Sequence, residues 1–123
     1  MNTIIIAVEN VSMKAEVYAT PTGKAILAAL PVEATANVWG DEIYFDIPVV
    51  LDSEPGAKET VAVGDLGYWP EGPAFCIFFG PTPVSQGETP RAYSPVNVFG
   101  RILGDARTFK QVHAGSPVRV ERA

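Results

Sequence analysis

In 123 residues the chain carries one cysteine, Cys76, and one histidine, His113. That scarcity excludes an internal disulfide and leaves no Cys/His set of the spacing that holds a structural metal. Basic clusters are missing as well. The 9 Lys and Arg residues are scattered, apart from Arg119 and Arg122 near the end, and formal net charge is -5. A nucleic-acid footprint needs clustered cations that displace counterions from phosphates, so no nucleic-acid partner is expected. No apolar run approaches the length of a membrane span. The opening "MNTIIIAVEN" has no basic leader and only a short apolar stretch, so neither export nor membrane insertion is expected and a cytoplasmic location is the working assignment.

Long helices are excluded by the 11 glycines and 11 prolines, which divide a 47% hydrophobic chain into short segments. What remains is β-rich. "TIIIAV" and "MKAEVY" form a first strand pair across "ENVS", the second sending Met13, Ala15 and Val17 to one face. "TPTGKAILAALPV" holds one short helix, with Thr20 as N-cap, Pro21 in its first turn and Pro31 as its stop. "TANVW" and "EIYFDI" flank Gly40-Asp41 as a hairpin, with Ile43, Phe45 and Ile47 facing the core and Glu42, Tyr44 and Asp46 facing away. "VAVGDLGYWPEGPAFCIFF" supplies further short strands, and the polar, Pro-rich Gly80 to Pro95 is expected to be a surface loop. "VNVFGRIL" is a strand, "GDARTFKQV" a short helix capped by Asp105, and "SPVRVER" a final strand. One domain over residues 1–123 fits this length.

"VNVFGRILGDARTFKQVHAGSPVRVERA" resembles the closing third of a cyclophilin, and "GDLGYWPEGPAFCIFFG" is similar to the strand pair that precedes it there. With "VWGDEIYF" and "FFGPTP" included, the chain is closer to a family of small bacterial and archaeal proteins with a minimal cyclophilin-like barrel. The resemblance implies a mainly β fold, a closed barrel of about eight strands with two short capping helices.

Cyclophilins isomerise prolyl peptide bonds with an arginine from a Phe-His-Arg motif. The strand in that place here reads "VWGDEIYFDIP", no arginine lies between Lys24 and Arg91, and Ala74 stands where the family's Ser-Gln-Phe-Phe glutamine would be. No catalytic residue is therefore carried over. The functional expectation is a non-catalytic binding module taking a small molecule or an extended, proline-containing peptide, with no cofactor or metal. The alternative is an atypical weak prolyl isomerase using Arg91 or Arg101 as its donor.

The aromatics Trp39, Tyr44, Tyr68, Trp69, Phe78 and Tyr93 are expected at one mouth of the barrel, where Trp and Tyr beside a Pro-rich loop suit ligand stacking. From these, with one acidic neighbour, the candidate ligand-binding set is Glu42, Tyr44, Trp69, Phe78 and Tyr93. Cys76 reads as a small buried hydrophobe and His113 as a capping or surface residue. A homodimer through an exposed edge around Phe75 to Phe79 is the remaining partner expectation.

Overall fold

The computed structural model describes residues 2–123. Its strands are β1 (Asn2–Val8), β2 (Val11–Val17), β3 (Val32–Thr35), β4 (Asn37–Val38), β5 (Glu42–Asp46), β6 (Lys58–Thr60), β7 (Asp65–Trp69), β8 (Ala74–Phe78), β9 (Arg91–Leu103) and β10 (Pro117–Arg122). One α-helix, α1 (Pro21–Ala29), and a short 3-10 helix, Ala106–Gln111, are the other regular elements among the described residues. The ladder runs β3-β10-β1-β2-β9-β7-β8-β5-β4, with β6 added to β9. All pairings along it are antiparallel.

Two features correct the expected closed barrel of about eight strands. The sheet has 10 strands, and its ends, β3 and β4, follow one another in the chain without pairing with each other. Backbone continuity through Ala36, not a ladder of hydrogen bonds, brings the two ends of the sheet together. The strands beyond those read from the sequence are short ones, β3 and β6, of four and three residues.

Local chemistry explains most elements. The Thr20 side chain accepts from the Gly23 N–H and Pro21 opens α1, satisfying donors that the first turn leaves free. Trp39 and Glu42 exchange both backbone hydrogen bonds, at 2.9 and 3.2 Å, across Gly40-Asp41, and Gly40 has φ 59. Glycine tolerates that left-handed conformation. The Asp105 side chain caps the second helix by accepting from the Arg107 N–H.

The main core lies on one face of the sheet and contains Ile4, Ile6, Ile43, Phe45, Phe75, Ile77, Phe79 and Phe99, with Phe109 from the 3-10 helix. Phe45 and Phe75 stack at 4.8 Å. Ala74, Cys76 and Phe78, alternating with those core residues on β8, join Val61, Ala92 and Val96 in a second cluster. Both faces of β8 are therefore buried, and β8 pairs with β5 on one side and β7 on the other. It is an interior strand, so Phe75 to Phe79 offers no edge for a dimer.

The second cluster exists because of β9. Its 13 residues begin at Arg91, inside the stretch expected to be a loop. The first half pairs with β6 and the second with β7 and β2. Pro95 falls in the irregular stretch between the Lys58↔Val96 and Thr60↔Arg91 pairs, where a residue without an N–H does least damage to a ladder. The first half thus leaves the main sheet and folds over its outer face.

Candidate functional site

On that outer face Trp39, Glu42, Tyr44, Trp69, Cys76, Ala92, Tyr93 and Val96 line a pocket of about 190 Å³. Strand register assembles it. Tyr44 on β5 sits opposite Cys76 on β8, which sits opposite Gly67 on β7. Gly67 has no side chain to add to this row, and a Cβ there would come within 2.8 Å of Val96 Cγ2 and 3.2 Å of Phe78 Cε2. Its absence lets β9 close down on the sheet.

The walls are aromatic. Tyr93 stands edge-on to Trp39 and to Trp69, with ring centroids 6.1 Å apart in each case and interplanar angles of 71° and 83°. Trp39, Tyr44 and Trp69 are half-buried, while Tyr93 is 72% exposed. The Trp69 indole N–H donates to Ser94 Oγ at 2.6 Å, so the ring is fixed and that donor is already used.

Glu42 is the polar element. Only 6% exposed, its carboxyl has no ion-pair partner among the described residues. Burial pushes its pKa up to about 7, and the Cys76 thiol, able to donate to the carboxylate, pulls the other way. Burial and the neighbouring Glu42 charge push the Cys76 thiol well above its ordinary value, which keeps it protonated and a poor nucleophile.

The structure brings four of the five candidate residues, Glu42, Tyr44, Trp69 and Tyr93, to the pocket. Phe78 is not among them. It is fully buried in the second cluster, among Val61, Ala74, Cys76, Ala92 and Val96. Tyr68, from the wider aromatic set, belongs to the main core. Its hydroxyl donates to the Val49 carbonyl at 2.7 Å and accepts from the Leu51 N–H at 3.0 Å. The aromatic group also lies on the outer face of the sheet instead of at a barrel mouth. Trp39 completes the wall, and Cys76, Ala92 and Val96 were not legible as lining residues. Only the β9 register, which a Pro-rich segment hides, places the last two.

Other chemistry lies apart from the pocket. His113 Nδ1 lies 3.2 Å from Glu9 Oε1, and the same carboxylate accepts from the His113 N–H at 2.7 Å and from the Ser116 hydroxyl. Glu9 stands between the histidine and the serine, so no nucleophile–base contact is formed. These bonds hold the carboxyl below its ordinary pKa, the Ser116 bond first, and anchor the β1–β2 turn, where Glu9 has φ 53. Arg91 pairs with Glu59 at 3.0 Å and Arg101 with Glu16 at 3.1 Å. Neither arginine lines the pocket.

A continuous antiparallel sheet wrapped round one core, carrying a short α-helix and a 3-10 helix, defines a small β protein of cyclophilin type. The chain belongs to the Cyclophilin-like family, whose model matches residues 2–121. The solution structure of the hypothetical protein AF2241 from Archaeoglobus fulgidus is similar, with a TM-score of 0.83 and 42% identity, covering 99% of this chain and 95% of that one. No match was found among curated proteins. No helix among the described residues is long and apolar enough to cross a membrane.

Proposed function

We propose that this chain is a non-catalytic binding module that takes a small molecule, or one side chain of an extended peptide, in the Trp39–Glu42–Tyr44–Trp69–Tyr93 pocket. The observation that carries this reading is the combination of a concave aromatic wall with a single buried carboxyl, a pattern suited to orienting a ligand. The volume argues for a small occupant, since about 190 Å³ falls below the roughly 300 Å³ at which drug-sized sites begin. The commitment of Arg91 and Arg101 to carboxylates elsewhere favours binding over prolyl isomerisation, which would need a donor at the imide.

Exchange NMR of a short proline peptide, with spectra of the labelled protein recorded in the same titration, tests this. Binding should perturb the pocket amides while the cis/trans exchange rate of the peptide stays at its free value. Accelerated exchange lost on Arg101→Ala would instead make the protein an isomerase. If Tyr93→Ala, an exposed and structurally benign change, left the affinity of every bound ligand unaltered, the site would lie elsewhere.

A further inference from the structure

Building on the reading of this pocket as a ligand site, we propose that its occupant is an N-methylated ammonium head group, boxed by Trp39, Tyr44, Trp69 and Tyr93 and neutralised by Glu42. The argument begins with what the walls can offer. Aromatic faces carry negative potential and attract a cation lying within about 6 Å of the ring centre. Tyr93 meets Trp39 and Trp69 nearly at right angles, at 6.1 Å, so the rings form adjoining walls and not one stacking platform for a flat ligand. The Trp69 N–H is spent on Ser94, leaving that ring's π surface as its contribution.

Charge points the same way. Among the described residues Glu42 is buried without a cation, and no lysine, arginine or histidine lines the pocket. A buried carboxylate is costly until something of opposite charge joins it, and here only a ligand can. Methylation of that ligand follows from the excess of aromatic surface over acceptors. A primary ammonium is strongly hydrated and directs three N–H groups at separate acceptors, whereas four of the eight lining residues are aromatic and the one carboxyl is Glu42. A nitrogen ringed by methyl groups asks for no hydrogen bonds, spreads its charge over apolar surface and suits a compact pocket of about 190 Å³.

A pH signature follows. The titratable groups around Glu42 are Tyr44 on its own strand, Cys76 on β8 and Tyr93 on β9, and the charged pair next to it in sequence is Asp41 with Lys110 at 3.6 Å. With Glu42 titrating at about 7 in the free protein, a permanent cation draws the proton off as it binds. Its affinity should therefore rise from pH 6 to pH 8.

The test is calorimetric and NMR titration of the full chain with tetramethylammonium, choline and 3,3-dimethylbutan-1-ol, the neutral isostere of choline, at constant ionic strength and at pH 6 and 8. The proposal expects choline to bind at least about tenfold more tightly than the isostere at pH 8, severalfold less tightly at pH 6, and with shifts at the indole N–H groups of Trp39 and Trp69. Glu42→Gln should abolish the preference for choline while keeping the isostere's weak binding. Tyr93→Leu, at an exposed position, should weaken choline by about three- to tenfold, and serves if the Glu42 variant does not fold. A short peptide containing trimethyllysine separates sources: tighter binding than choline assigns the head group to a protein side chain, weaker binding to a free small molecule. An isostere that binds as well as choline would overturn the cation assignment and leave an apolar ligand pocket standing. Absence of all pocket shifts with the isostere and the cations alike would overturn both.

Discussion

Glu42 shows how much a single register position decides. Placed on the face opposite Ile43 and Phe45, it would be a solvated carboxylate on an ordinary two-faced sheet. Here the first half of β9 covers that face, leaving Glu42 6% exposed. Its pKa, raised from 4.5 to about 7, means the folded chain holds a proton that the unfolded chain releases between those values. Stability contributed by this site is therefore present at low pH and falls as pH rises through that window. Denaturant melts of Glu42→Gln should match wild type near pH 5 and exceed it by about 2 to 3 kcal/mol at pH 8. Glu9 works in the opposite direction. Its lowered pKa gives stability that is present above the ordinary carboxylate range and lost on acidification, so Glu9→Gln should lower the stability measured at pH 7 and narrow its gap from wild type at pH 3. Asn97, buried on β9, donates to Thr22 Oγ1 and the Asp52 carbonyl, both at 3.1 Å, and accepts from the Glu54 N–H at 2.8 Å. Asn97→Ala strands these partners and should cost about 2 to 4 kcal/mol in urea unfolding.

At the scale of elements, the segment from Ile47 to Ala57 has no regular structure, yet it is fixed to the sheet by Asn97 and by the Tyr68 hydroxyl. Tyr68→Phe keeps the ring and removes both hydroxyl contacts. A loss of about 1 to 2 kcal/mol is expected, with faster hydrogen exchange at the Leu51 amide, whereas unchanged exchange there would show that the loop is held by other contacts. The Gly40-Asp41 hairpin, the Thr20 and Asp105 caps and the alternation of β5 were all legible, because turn, capping and period-two signals act over a few residues. β9 was not. Pro95 argues locally against a strand, and only the pairing with β6, more than thirty residues earlier in the chain, makes Arg91 to Val96 one. Phe78 failed as a site residue for the same reason: it is buried in a cluster that Ala92 and Val96 of β9 help to form, and no local pattern connects them to it.

Across the whole molecule, the sheet's two ends meet through the chain at Ala36 and its main core occupies one face. A cyclophilin-type fold with its pocket on the outer face of the sheet separates the site from the core that stabilises the fold. Changes at Tyr93 should thus alter binding with little effect on melting temperature, while changes in the Phe45–Phe75 stack should do the reverse. The candidate site was half legible: tyrosine, tryptophan and one glutamate signalled an aromatic wall with one carboxyl, but the wall's location needed the fold of β9. The most direct test of the pocket as the binding site is a ¹⁵N–¹H NMR titration of the full chain with a small set of cationic, neutral aliphatic and proline-containing fragments. The account predicts shifts that converge on Trp39, Glu42, Tyr44, Trp69 and Ala92 to Val96 and shrink in Tyr93→Ala. Shifts clustered elsewhere, such as around Glu9 and His113, with the pocket silent, would contradict it.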